Sequence, residues 1–373
     1  MHFHTYQNNY QNMKKTVLHE KHLALNARMS PFGGFEMPIQ YEGIIKEHNA
    51  ARNAAAIFDT CHMGEFLIQG AGAVEDLERI VSCSIKDIKI GGCRYGFICN
   101  EQGGVIDDQI LYRLKENEFF MVVNSATEAG DFKWIREHLS NASSIENLTE
   151  QTGKADLQGP AAPKIFSKLM SEPVDEMKFY TFKYNYYRGE KVLTSRTGYT
   201  GEIGFEIYCS NDLIKKFWDD CIELGATPAG LGARDTLRLE MGFPLYGHEL
   251  NQDTNAAESG FTRAIASKNF IGSSAVLDSS KRSRVLTGIV IEGRRAARAG
   301  DLVLDSDGNE TGYVTSGSFS PTLGIAIAMA YVKPADVGTA VKIKTERGEL
   351  AAKISEVPFY KGGTVRSDIR KFL

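Results

Sequence analysis

The chain is predicted to fold as an α+β protein with a β-rich module at its C-terminal end. Two observations predict this. Helical and strand periodicities alternate without the regular strand–helix–strand rhythm of a parallel sheet. From about Ser283 onward the composition turns to valine, isoleucine, glycine and short turns such as Asp305-Ser306-Asp307-Gly308, which reads as a separate small β domain.

Taken in order, Ile44 to Ala56 reads as a helix, and Glu65 to Gln69 as an alternating strand ended by Gly70. Val74 to Ser82 is amphipathic, with Val74, Leu77, Ile80 and Val81 as its apolar positions. Tyr95 to Cys99, Val105 to Tyr112 and Phe119 to Asn124 form three consecutive strands. Their connections, Glu101-Gln102-Gly103-Gly104 and Lys115-Glu116-Asn117-Glu118, are hairpin-like. A helix follows over about Glu128 to Leu139, then a hairpin of Lys178 to Tyr187 and Lys191 to Ser195 around Arg188-Gly189-Glu190. The strand Gly204 to Tyr208 and a helix over Ala233 to Met241 complete the reading, with no internal repeat.

A length of 373 residues suggests two or three domains, and 42% hydrophobic with 24% charged residues is ordinary for a globular enzyme. The 43 basic and 47 acidic residues leave a net charge of −4 with no long run of either sign, which argues against a dedicated nucleic-acid or membrane-surface protein. Six scattered cysteines without a C-x-x-C, and histidines without H-E-x-x-H, point to free thiols and away from a metal site. No apolar run approaches the ~20 residues of a membrane span. Residues 1–12 resemble no leader peptide and read as an extension before an alternative start at Met13, so the expected setting is the cytoplasm.

The most telling stretch is Gly103-Gly104-Val105-Ile106-Asp107-Asp108-Gln109-Ile110, which sets two adjacent carboxylates in a strand. Strand side chains alternate faces, so the two point opposite ways. Asp107 shares a face with Gln109, whereas Asp108 shares one with Ile106, Ile110 and Tyr112. A carboxylate on an apolar face is desolvated, its pKa rises, and it is prepared for acid–base work. The plain alternative is a strand-end aspartate bonded to a turn.

Other candidates carry two readings each. Gly230-Leu231-Gly232 and Gly70-Ala71-Gly72 are incomplete as nucleotide fingerprints. Arg234 lies near a helix N-terminus, where a cation gains nothing from the dipole unless a carboxylate or polar ligand sits there. Its alternative is a surface salt bridge with Asp235 or Glu240. Glu206, on a strand face with Gly204 and Tyr208, is either solvated or the acceptor for an amidine-like edge. Tyr199, between Gly198 and Gly201, is either a stacking platform or a packed loop tyrosine. Cys61-His62 fails as a dyad, because neighbours on an extended segment point apart.

Together these stretches resemble the T-protein (aminomethyltransferase) family of the glycine cleavage system, from about Thr16 to Val365. The resemblance rests on Phe32 to Pro38, Phe58 to Phe66, Gly103 to Asp108, Leu157-Gln158-Gly159-Pro160, Arg196 to Glu202 with Gly204 and Glu206, Gly230 to Glu240, and Thr315 to Gly324. It implies a ring of three domains: residues 13–66 with 150–243, residues 67–149 with 244–282, and a β-barrel-like domain over 283–373. The implied reaction passes the methylene of an aminomethyl group on the lipoyl arm of H-protein to tetrahydrofolate, with release of ammonia. The implied protein is a monomer without metal.

By the same resemblance Asp108 is the catalytic carboxylate and Glu206 holds the amino edge of the pterin. Tyr95, Tyr180 and Tyr199 line or stack on the folate, and Asn124 with Val122 and Val123 forms the pocket floor near Met63 and Leu67. Arg234 stands close to the reaction centre and Arg366 at the C-terminal wall. The chain departs from the family pattern at Phe35, Cys61 and Arg263. Two rivals share the fold. An accessory protein of iron–sulfur cluster assembly would carry K-G-C-Y-x-G-Q, and the folate domain of a flavin-dependent sarcosine or dimethylglycine dehydrogenase would carry a dinucleotide fingerprint; this chain has neither. A non-catalytic scaffold is the rival of another class.

Overall fold

The structure, a computed structural model, describes residues 13–373. The expected N-terminal extension therefore lies outside the described residues. Chain order runs α1 (His19–Ala24), β1 (Arg28–Phe32), β2 (Phe35–Gln40), α2 (Ile44–Asn53), β3 (Ala56–Asp59), β4 (Gly64–Gln69), α3 (Ala73–Ile80), β5 (Cys93–Cys99), β6 (Val105–Lys115), β7 (Glu118–Val123), α4 (Glu128–His138) and β8 (Ser144–Asn147). It continues through β9 (Thr152–Gln158), α5 (Ala162–Leu169), β10 (Phe182–Tyr187), β11 (Glu190–Ser195), β12 (Gly204–Ser210), α6 (Asn211–Glu223), β13 (Thr227–Pro228) and α7 (Leu231–Glu240). The last strands are β14 (Val285–Ile291), β15 (Leu302–Leu304), β16 (Glu310–Phe319), β17 (Ala326–Val332), β18 (Ala340–Thr345) and β19 (Gly348–Ser355).

These strands make a β1–β2 hairpin and three larger units. A six-stranded sheet has the order β10-β11-β12-β9-β3-β13, a five-stranded sheet the order β5-β6-β7-β4-β8, and β14 to β19 close into a barrel. The α+β class and the C-terminal barrel hold. The predicted strand from Lys178 begins only at Phe182, because Tyr180 takes a φ of 61°, outside any strand conformation.

Alternation explains how the sheets meet. One face of the five-stranded sheet sends Phe66, Ile68, Phe119, Met121 and Val123 under Leu77 and Ile80 of α3 and Ile135 of α4. Its other face sends Cys93, Tyr112, Phe120 and Val122 against Phe182, Leu193 and Tyr208 of the six-stranded sheet. The Tyr112 and Tyr208 hydroxyls close that contact at 2.9 Å. The far face of the six-stranded sheet is covered by α5 and α6, whose Phe166, Phe217 and Trp218 are fully buried, and Ile369 from beyond the barrel joins this core.

Helix α7 ties the parts together. Ala233 and Leu237 pack on Ala51 and Phe58, while Leu239 packs on Ile327, Met329 and Tyr331 of the barrel. At its end the Glu240 carboxylate accepts from Arg52 at 2.7 Å, from Ser320 at 2.5 Å and from Thr322 at 2.8 Å. Burial raises its pKa, but His48, Ser320 and Arg52 hold the carboxyl down at about 2. Arg238 is equally enclosed, donating to Glu249 at 2.9 Å and Ser316 at 2.8 Å.

Candidate active site

The turn before β6 is what brings Asp107 and Asp108 to the sheet junction. Gly103 has a φ of 84°, and a Cβ on Gly104 would lie 1.7 Å from the carbonyl oxygen of Gln252, so the glycine pair is a steric requirement. Asn100 seals the turn by accepting from the backbone N–H of Gly104 at 2.8 Å. One residue later the register slips: Ile98 pairs with Asp107 but Cys99 with Val105. Ile106 is thus the extra residue of a bulge and packs in the cluster beneath α3 and α4. That corrects the expectation that Ile106 shares the face of Asp108. Ile110 and Tyr112 do point that way, toward the six-stranded sheet.

Asp108 is half-buried there. Its Oδ2 accepts from the Tyr95 hydroxyl at 2.9 Å and its Oδ1 from Asn124 Nδ2 at 2.8 Å. Burial, and then the charge of Asp107, push its pKa up to about 7 against the lowering effect of those two bonds. Asp107 is fully buried, which the sequence reading did not anticipate, because the helices that cover its face are distant in sequence. Both of its oxygens are taken by Asn124, through the backbone N–H at 2.9 Å and Nδ2 at 2.8 Å.

The facing sheet supplies a different set of charges. Glu206 on β12 lies directly opposite Asp156 on β9. Lys154 Nζ reaches Glu206 Oε1 at 2.6 Å, Thr197 Oγ1 donates to Oε2, and Arg234 Nη1 reaches Asp156 Oδ2 at 2.7 Å. Burial would raise the Glu206 pKa, yet Lys154 and Thr197 bring it below its ordinary value. For Asp156, burial outweighs Arg234, and the carboxyl sits at about 6. Arg234 therefore makes neither of the surface bridges considered from sequence; its guanidinium also lies 5.0 Å from the centre of the Tyr199 ring.

Three tyrosines stand between the two ends. Tyr180 feels the fields of both Glu206 and Asp108, Tyr199 those of Asp108 and Arg234, and Tyr95 bonds Asp108 directly. Tyr199 donates to the Pro244 carbonyl and stacks on Phe243 at 5.7 Å. Arg366 is exposed, lies over Phe179 at 5.2 Å and lowers the pKa of the neighbouring Tyr180 phenol against its burial.

Of the proposed floor, Val122 and Met63 pack at the junction, but Val123 turns to the helix-covered face. Leu67 pairs with Phe120, four residues along from Asn124, which places it roughly 13 Å further down the sheet. Opposite Val122 stands Glu65, which the sequence reading missed. Both its carboxyl oxygens are buried without a hydrogen-bond partner among the described residues, and burial drives its pKa far up against the pull of Lys154. Lys154 and Asp156 were missed as well. The strict alternation Lys154-Ala155-Asp156-Leu157-Gln158 was the signal that would have found them. His62, packed edge-on against Phe32 at 5.5 Å, has its pKa lowered to about 4 by burial, while Cys61 points away to the Lys154 carbonyl at 3.1 Å.

Residues 18–269 match the GCVT N-terminal domain, and residues 284–361 match the glycine cleavage T-protein C-terminal barrel domain. The chain belongs to the glycine cleavage T-protein family. It is similar to the aminomethyltransferase of Halothermothrix orenii, 41% identical over 93% of this chain and 100% of that one. That of Thermotoga petrophila is 39% identical over 95% and 100%. The crystal structure of glycine cleavage system aminomethyltransferase T from Bartonella henselae superposes with a TM-score of 0.88 at 32% identity, covering 94% of this chain and 98% of that one.

Proposed function

We propose that the junction of the two sheets carries out the aminomethyltransferase reaction of the glycine cleavage system. The methylene of the aminomethyl group on lipoyl H-protein passes to tetrahydrofolate, and ammonia leaves. The observation that supports this most is Asp108: a half-buried carboxyl, titrating near neutrality, enclosed by tyrosines in a chain related throughout to aminomethyltransferases.

The residues present fit a folate ring. Tyr95, Tyr180 and Tyr199 offer flat apolar faces, and Asp108 and Glu206 offer acceptors at the two ends. Glu206 uses only two of its roughly four lone-pair sites on Lys154 and Thr197, so it keeps capacity for the amino edge of a pterin. The orphaned oxygens of Glu65 mark unspent polar capacity on the same face. Tetrahydrofolate, held there, supplies the nitrogen that takes up the one-carbon unit.

The chain's own part is positioning and proton handling. Asn124 and Tyr95 fix both oxygens of Asp108, so its orientation does not depend on the substrate. With a pKa of about 7, Asp108 is divided between its two forms at neutral pH and can take or give a proton at Oδ1 or Oδ2. Arg234, held by Asp156, keeps a cation beside Tyr199, and Arg366 borders Tyr180 from the C-terminal side.

A coupled assay with aminomethyl-loaded H-protein and tetrahydrofolate tests the reading. Methylenetetrahydrofolate and ammonia should form in equal amounts. Folate binding by the folded protein without either product would favour the accessory-protein rival.

A further inference from the structure

Behind Asp108 the structure holds a carboxyl that the reaction does not touch. Asp131, in the first turns of α4, is fully buried, and among the described residues neither Oδ1 nor Oδ2 has a donor. It nevertheless lies within hydrogen-bonding reach of the Asp107 carboxyl. Two ionised carboxylates are both acceptors and repel one another, so such a contact is a bond only if one keeps its proton.

The surroundings decide which. Asp107 receives two N–H groups from Asn124, a set that favours its charged form. Beside Asp131 lies the Thr127 hydroxyl, which it shares with Asp107 and which itself donates to the Asn124 carbonyl at 3.1 Å. The titratable groups around the cluster are Asp107 and Asp108 from β6, Tyr95 from β5 and Tyr246 from the loop above, none of them a cation. On α4 itself Lys133 and Arg136 are exposed, Lys133 beside Glu137 and Arg136 over Phe132, while Arg234 and Arg366 act on Tyr199 and Tyr180. A helix N-terminus favours an anion at Asp131, but weakly beside the penalty for an unpaired buried charge. Burial, then Asp107, raise the Asp131 pKa far above the carboxylate range.

We propose that Asp131 is a positioning residue that stays protonated and donates to Asp107, fixing Asp107 as the anion that holds Asn124 against Asp108. This rests on the reading of Asp108 given above. The arrangement is a relay of hydrogen bonds in which only Asp108 meets the substrate. Its effect is to keep one negative charge behind Asp108 and one amide proton on it.

The test exploits the likeness between a protonated carboxyl and a carboxamide. Infrared spectra of the folate-free protein, with and without carbonyl-labelled aspartate, should show a protonated carboxyl at pH 8 that vanishes in Asp131→Asn. Because the amide still donates, Asp131→Asn should keep the wild-type kcat and the acid limb of the kcat/KM profile. Asp131→Leu, checked for folding by its circular dichroism, removes the donor. Asp107 then competes for a proton, its charge behind Asp108 weakens, and the acid limb should move down by about one unit, a tenfold change in the ionisation ratio. A band missing in wild type, or persisting in Asp131→Asn, overturns the proposal. So does a lowered acid limb in Asp131→Asn, which would mean that a charge had been removed. The spectra need no folate, so an intact band with no turnover would refute the proposed reaction and leave this inference standing.

Discussion

The two ends of the junction bury the same kind of group and solve the same problem in opposite ways. At the Glu206 end, carboxylates are matched by cations: Lys154 on Glu206 and Arg234 on Asp156. At the Asp108 end, three carboxyls crowd around one asparagine and two phenols with no cation among them, and their pKa values rise. Pairing with Lys154 keeps Glu206 a fixed charge suited to binding, although burial outweighs Arg234 at Asp156 and leaves that carboxyl at about 6. Unpaired burial carries Asp108 to about 7, where its charge changes near neutrality, as proton transfer needs.

The largest expected effect falls at the unpaired end. Asp108→Asn should lower turnover about 10²- to 10⁴-fold, the usual range for a lost acid–base group, with folate affinity by calorimetry nearly unchanged. Equal loss in both would make Asp108 a binding residue like Glu206 and erase the contrast.

The stability profiles should also slope in opposite directions. The folded Asp108 carboxyl, at about 7 against an ordinary 3.8, keeps its proton after the unfolded chain has released it. Its contribution is therefore complete below the ordinary value and lost as pH rises toward 7, and denaturant titrations of Asp108→Asn should lack that loss. Glu206 is lowered from 4.5, so its contribution is present above that value and lost on acidification.

At the paired end, Lys154→Met leaves Glu206 buried without its partner and should cost about 3–5 kcal/mol by urea unfolding near neutral pH. A cost within ordinary surface variation would show that water replaces Lys154 and that pairing is not what holds Glu206 charged. Next in size, Glu206→Ala should weaken folate binding by about 10- to 100-fold, the worth of hydrogen bonds to a charged group, and leave kcat largely intact. An unchanged dissociation constant would remove Glu206 from the folate site.

The smallest effect is expected at Asp107. Read from sequence, it has a polar neighbour and its replacement leaves most activity. Its complete burial and its hold on Asn124 alter that expectation. Asp107→Asn should reduce kcat a few-fold by loosening Asn124, and should move the acid limb to lower pH, because a neighbouring negative charge that raises Asp108 is gone. A limb that stays in place would assign the raised pKa to burial alone.

What could be read in the sequence follows this division. Strands β5, β6 and β7 are sequential and joined by short turns, so local pattern sufficed to find them and to set Asp108 apart from Asp107, but not to place Ile106, which the bulge turns to the other face. The six-stranded sheet takes β3 and β9 from positions nearly a hundred residues apart, and no local pattern announces that pairing. Lys154 and Asp156 were legible only as an alternation, since their partners Glu206 and Arg234 arrive from later elements. Asp131 was hidden for a further reason: on a helix surface an aspartate ordinarily faces water, and nothing near it in sequence shows Asp107 beneath.

Asn124 carries one more consequence. Both hydrogens of its side-chain amide are committed, one to each of two carboxylates at 2.8 Å. Its carbonyl oxygen is then the only hydrogen-bonding group of that side chain left for a newcomer. The amide is thereby prevented from rotating end for end, and seen from outside it presents lone pairs alone. A molecule that docks against this side chain must bring the hydrogen itself.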